Sequence, residues 1–148
     1  MAHQVSVIGS GGEWEASAEE VGRLLGERGC TVVTGGLDEV MSAAHRGAKS
    51  AGGTTIAILP GEDRGAANEW ADHVVVTGIG HARNLAVAAS GDAVIAIGGS
   101  WGTLAEIAFA RRLGRSVVAL VGAPEVEGIA VASTPEEAVD LVLELLAQ

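Results

Sequence analysis

The chain has 148 residues with 48% hydrophobic and only 3% aromatic residues, so one domain over residues 1–148 must build its core from Ala, Val, Ile and Leu. A domain of this size buries roughly 68–70% of its unfolded surface, which suffices for a self-supporting core. The formal net charge of −10 excludes a nucleic-acid backbone or an anionic membrane as the main partner, since both need a basic footprint, but it leaves room for a small anionic ligand in a local site.

Short apolar runs alternate with helical segments. The runs are Val5–Ile8, Thr31–Val33, Thr54–Leu59, His73–Val76, Ala93–Ile97 and Ser116–Val121. They are continuously apolar, as expected of parallel strands covered on both faces. The start, MAHQVSVIGS, enters the strand pattern without a basic or long apolar leader. After the first run, EWEASAEEVGRLLGERG places Ala18, Val21, Leu24 and Leu25 on one face and stops at Gly29. LDEVMSAAHRGAKSAGG follows the second run. The segment Gly61–Asp72, after the third, is the longest candidate loop. HARNLAVAAS precedes the fifth run, and TLAEIAFARRLG follows it with Leu104, Ile107, Ala108 and Leu113 expected inward. The last segment, STPEEAVDLVLELLAQ, has Ser133 or Thr134 as cap, Pro135 in the first turn and Glu137 near the positive helix end. This rhythm predicts an α/β fold: a doubly wound parallel sheet in three layers, one domain. No apolar run approaches the ~20 residues of a membrane span. The single cysteine, Cys30, permits no intrachain disulfide and fits a reduced, cytoplasmic setting.

Ligands of such folds bind beyond the carboxyl ends of the strands. There the chain places Gly9-Ser10-Gly11-Gly12, Thr34-Gly35-Gly36, Pro60-Gly61 and Gly98-Gly99-Ser100-Trp101-Gly102-Thr103. Glycine lets a ligand approach the backbone N–H groups, and a helix N-terminus adds unpaired donors and partial positive charge suited to phosphate. The hydroxyls of Ser100 and Thr103 are further donors. A dinucleotide fingerprint is disfavoured: Gly9-x-Gly11 occurs, but position 14 is Trp and no acid stands at the tip of the second strand. No Walker A loop is present, and the only lysine, Lys49, lies in a helical segment. His3, His45, His73 and His81 are dispersed, so the sequence implies no metal site and no resident cofactor. His45 is expected at the surface or half-buried on its helix, and His73 to be structural.

The stretch HARNLAVAASGDAVIAIGGSWGTLAEI resembles the signature of the LOG-type, formerly lysine-decarboxylase-like, proteins of the SLOG superfamily. Their pattern is Arg-Lys on one helix, then Asp-Ala, an apolar strand and P-G-G-x-G-T-x-x-E. Arg83, Asp92-Ala93, Gly99, Gly102, Thr103 and Glu106 match it, with 106 − 83 = 23 residues from Arg to Glu. The resemblance implies a Rossmann-like homodimer that binds a nucleoside 5′-monophosphate. It implies hydrolysis of the N-glycosidic bond to free base and ribose 5-phosphate, with Arg83 and Glu106 as the catalytic pair. Gly9, Ser10, Gly11, Gly35, Gly36 and Gly98 to Thr103, Trp101 included, would form the phosphate and nucleotide cradle. In the motif's Pro, second Gly and Lys positions this chain has Gly98, Ser100 and Asn84, and it is shorter than the LOG enzymes. These departures resemble a shorter branch that includes molybdenum-cofactor carrier proteins. That resemblance implies the alternative, a non-catalytic carrier or sensor of a nucleotide or pterin phosphate. Trp101 would stack on a base, cover the phosphate loop or pack at a dimer interface. Trp14 and Trp70 also fall near strand ends or helix starts.

Overall fold

The computed structural model describes residues 2–148. Seven strands form one sheet: β1 (Gln4–Ser10), β2 (Thr31–Thr34), β3 (Thr54–Leu59), β4 (His73–Val76), β5 (Ala93–Gly98), β6 (Ser116–Leu120) and β7 (Ala130–Ala132). Five helices flank them: α1 (Glu15–Glu27), α2 (Val40–Ser50), α3 (Arg83–Ser90), α4 (Trp101–Arg112) and α5 (Pro135–Leu146). The order is β4-β3-β2-β1-β5-β6-β7 and every pairing is parallel. The chain winds outward from β1 to β4, then returns to lay β5 against the free side of β1. The strand order therefore switches between β1 and β5, where doubly wound sheets open a crevice.

Alternation along the central strands divides the core into two layers. Val5, Val7, Ile95 and Ile97 point to the side of α1, α2 and α5, whereas Ile8, Val94 and Ala96 point to the side of α3 and α4. Small residues set the spacing of the first layer. A Cβ on Gly22 of α1 would lie 2.0 Å from the Ala44 carbonyl oxygen, and one on Gly47 of α2 would lie 1.9 Å from that of Glu19. Only glycine lets these two backbones meet. The α5 start follows its residues: Thr134 Oγ1 accepts from the Glu137 N–H at 3.1 Å, and the Glu137 carboxylate accepts from the Ser133 N–H at 2.9 Å. The expected inward face of α1, Ala18, Val21, Leu24 and Leu25, is buried.

Four expectations are corrected. β1 runs on through Gly9 and Ser10, paired with Ile97 and Gly98, so these two residues are strand rather than turn. β7 was not expected, because three residues after a Gly- and Glu-containing connection carry too little pattern. On α4 the inner face is Thr103, Glu106, Ile107 and Ala110, whereas Ala108 and Leu113 are exposed and Leu104 is half-buried. Two polar residues on that face hid its period. Finally, His45 is fully buried, because the Thr34 hydroxyl and the Asn68 amide satisfy both ring nitrogens. No helix among the described residues is long and apolar enough to cross a membrane.

Candidate functional site

Beyond the carboxyl ends of β1 and β5 lies a cleft of about 190 Å³ lined by Gly9 and Ser10 of β1, Gly35 after β2, Met41 of α2, Arg83 and Asn84 of α3, and Ser100, Gly102, Thr103 and Glu106 at the start of α4. Typical small-molecule sites hold roughly 300–1,000 Å³, so the cleft has room for a phosphate and a sugar while the rest of a larger ligand projects outward. Gly9 (φ +133°) brings β1 and β5 together at its base, since a Cβ there would lie 1.7 Å from the Ile97 carbonyl oxygen.

α4 aims its N-terminus at this space. Its first bond to the cap runs from the Leu104 N–H to the Ser100 carbonyl at 2.9 Å, and the Ser100 side chain makes no cap bond. The N–H groups of the preceding residues have no intrahelical acceptor and carry the partial positive charge of the helix end. Thr103 and Glu106, one turn apart, follow on the inner face, both at least nine-tenths buried.

Arg83 is held by main-chain carbonyls. Its Nε donates to Ile58 O at 2.9 Å, its Nη2 to Gly35 O at 3.3 Å, and its Nη1 to Asn84 Oδ1. The absence of a side chain at Gly35 makes room for the guanidinium, because a Cβ would lie 2.6 Å from Nη2. Burial pulls the guanidinium below its ordinary value, opposed by the attraction of Glu106, and it stays cationic. Glu106 forms no ion pair with Arg83 among the described residues, although the two interact across the cleft. Burial pushes the Glu106 carboxyl up to about 7, with Arg83 only partly offsetting it. Glu106 is the sixth residue of α4, beyond the first turn where the helix dipole acts, so the dipole does not offset its burial.

A buried network stands behind the loop that carries Gly35. The Asn68 amide donates to His45 Nδ1 at 3.2 Å, which leaves Nε2–H to donate to Thr34 Oγ1 at 3.1 Å. Thr34 Oγ1 also accepts from the Gly36 N–H at 2.9 Å. Burial lowers the His45 value to about 4, so the ring is neutral and the network intact at pH 7.

The cleft thus brings together Gly9, Ser10, Gly35, Arg83, Ser100, Gly102, Thr103 and Glu106 from the sequence-derived set. The other members lie outside its walls. Gly11 donates its N–H to the Glu39 carboxylate. Gly36 packs toward Ala57 and Leu59, Gly98 clears the Trp14 ring, and Gly99 abuts Thr103. Trp101 is 83% exposed on the outer side of α4. Trp70 lies under Arg46, at 5.2 Å from ring centroid to guanidinium. Met41 and Asn84 were not foreseen as wall residues. Asn84 was visible in sequence as the departure at the motif's Lys position, and Met41 carried no polar signal.

Known proteins resemble the chain over nearly all of its length. The SLOG cluster4 family matches residues 2–144. An uncharacterized protein of Archaeoglobus fulgidus is 44% identical over 140 residues, covering 93% of this chain and 92% of the relative. Among solved structures, the molybdenum cofactor binding protein of Rippkaea orientalis superposes with a TM-score of 0.92 at 31% identity, covering 99% of this chain and 98% of the other. The molybdenum cofactor carrier protein of Chlamydomonas reinhardtii gives 0.90 at 32% identity, covering 100% of both chains.

Proposed function

The chain belongs to the SLOG cluster4 family, and from that premise we propose that it carries or senses a small phosphate-bearing ligand, a nucleotide or pterin phosphate, held in the cleft between β1 and β5. The observation that carries this reading is the full-length likeness to two proteins that bind the molybdenum cofactor, in a chain whose cleft presents an uncapped helix N-terminus to the ligand's position. Ser100, Gly102 and Thr103 supply donors to the phosphate, Gly9 and Ser10 the floor, and Gly35 with Arg83 the far wall. The protein works in the cytoplasm as a homodimer. Leu85, Trp101, Phe109 and Leu113, all exposed on the paired helices α3 and α4, support pairing between copies through that face.

One feature favours a second reading, hydrolysis of a nucleoside 5′-monophosphate. Glu106 faces the cleft without a hydrogen bond from the protein. Cleavage of an N-glycosidic bond develops positive charge on the ribose ring, which an ionised carboxylate stabilises while it positions water. The two readings part in one assay. The protein is incubated with AMP, GMP, CMP, UMP and IMP, and free base is followed by chromatography, with Glu106→Ala as control. Retention of a nucleotide without base release supports the carrier. Base release by the wild type and not by the variant replaces it with the hydrolase.

A further inference from the structure

We propose that the Asn84 side-chain amide is the specificity-determining donor of the cleft, aimed by Arg83 at the anion held on the N-terminus of α4. This rests on the reading that the cleft binds a phosphate-bearing ligand. The orientation follows from the partner. A guanidinium can only donate, so the Asn84 atom facing Arg83 Nη1 is the carbonyl oxygen Oδ1. Nδ2 must then face the other way. It points across the cleft to α4, where a Cβ built on Gly102 would lie 3.8 Å from it.

That bond to Arg83 is the single side-chain hydrogen bond of Asn84 among the described residues, so both Nδ2 protons are free for a ligand. Arg83 itself spends three donors on Ile58 O, Gly35 O and Asn84 Oδ1 and is 8% exposed. It is a positioning residue: it fixes the amide and the Gly35 loop. The other groups that converge on the anion, beside the two N–H donors Arg83 has not spent, are neutral: the Asn84 amide, the Ser100 and Thr103 hydroxyls and the α4 N–H groups. Thr103 is 4% exposed, lines this space and makes no side-chain hydrogen bond among the described residues, an independent sign that the cleft is built for a hydrogen-bonding occupant.

The test uses Asn84→Asp. This variant keeps an oxygen for Arg83, now as a charge-assisted bond, and replaces the free donor by an acceptor. Binding of AMP and of inorganic phosphate is measured by isothermal titration, with the thermal midpoint of each protein in parallel. The wild type is expected to bind. Asn84→Asp is expected to lose at least about tenfold in affinity, the scale of one hydrogen bond to a charged group, with a midpoint at or above that of the wild type. A merely structural role would lower the midpoint instead. Should Asn84→Asp fail to fold, Asn84→Ala decides by the same tenfold criterion. Affinity within threefold of the wild type in a folded variant overturns the proposal alone. Failure of the wild type to bind either probe overturns the carrier reading and this inference with it.

Discussion

Replacing Glu106 by Gln should make the protein more stable at alkaline pH and leave it nearly unchanged at pH 4.5. The Glu106 carboxyl is 9% exposed and titrates at about 7 in the fold, against 4.5 for the free side chain. The folded state therefore holds its proton more tightly than the unfolded chain. Below pH 4.5 both states are protonated and no penalty exists. As pH rises above 4.5 the unfolded chain releases the proton first, and stability falls until, above about 7, the folded carboxyl has also ionised. A tenfold change in proton affinity is worth about 1.4 kcal/mol, so the full penalty is about 3 kcal/mol. For a domain of this size that moves the melting midpoint by roughly 6–12 °C. Gln keeps the shape and cannot ionise. Urea denaturation of the wild type and Glu106→Gln from pH 4.5 to 8.5 should show stabilities that diverge from about 4.5 to about 7 and run parallel above. His45 also titrates in this range, but it is common to both proteins and cancels in the difference. A difference between the two that is the same at pH 5 and pH 8 would refute the argument from burial.

The His45 ring is held near 4 by burial, against 6.5 when free, so its contribution is complete above pH 6.5 and is lost as pH falls toward 4. In Glu106→Gln, acid titration of stability should show this loss, of about 3 kcal/mol, and His45→Gln should abolish it. Gly47→Ala places a methyl 1.9 Å from the Glu19 carbonyl oxygen and should cost about 1–3 kcal/mol in denaturant unfolding, as other overpacked cores do. Glu39 is the one non-glycine residue among those described with positive φ, at +57°. Glu39→Gly should relieve backbone strain of order 1–3 kcal/mol and raise the unfolding midpoint, even though it surrenders the bond to the Gly11 N–H. The combined substitution of Phe109 by Arg and Leu113 by Glu should convert a dimer to a monomer in sedimentation velocity, with no loss of thermal stability in the separated chain.

The architecture was legible because parallel strands write themselves as continuous apolar runs, and β1 to β6 all appear that way, although β4, at the sheet edge, is largely exposed rather than covered on both faces. β7 was not, since its three residues pair along one edge of β6 and carry no period of their own. The inner face of α4 was misjudged for a related reason. Thr103 and Glu106 are polar yet buried, and a pattern of apolar residues cannot reveal a face that turns toward a cleft. Thr103 was recovered by its hydroxyl in the Gly-rich joint, and Glu106 by the resemblance of that stretch to the LOG-type signature. His45 shows the limit of reading a polar residue as a surface residue: its burial depends on Asn68 and Thr34, which are 23 and 11 residues away. Glycines looked alike in sequence, but their neighbours divide them. Gly9, Gly35 and Gly102 face the cleft, whereas Gly98 and Gly36 make room for Trp14 and for β3.

An anion held on the uncapped N-terminus of α4 would be expelled by an acid placed at its cap. Ser100→Asp tests this directly, because an Asp at this position caps the helix and puts a carboxylate where the anion would sit. Wild type and variant are purified in parallel and denatured, and the small molecules released are identified by mass spectrometry. The wild type should release a phosphate-bearing compound approaching one equivalent per chain and Ser100→Asp none, with the variant at least as stable. Release of no such compound by the wild type, or equal release by both proteins, would contradict binding at that helix end.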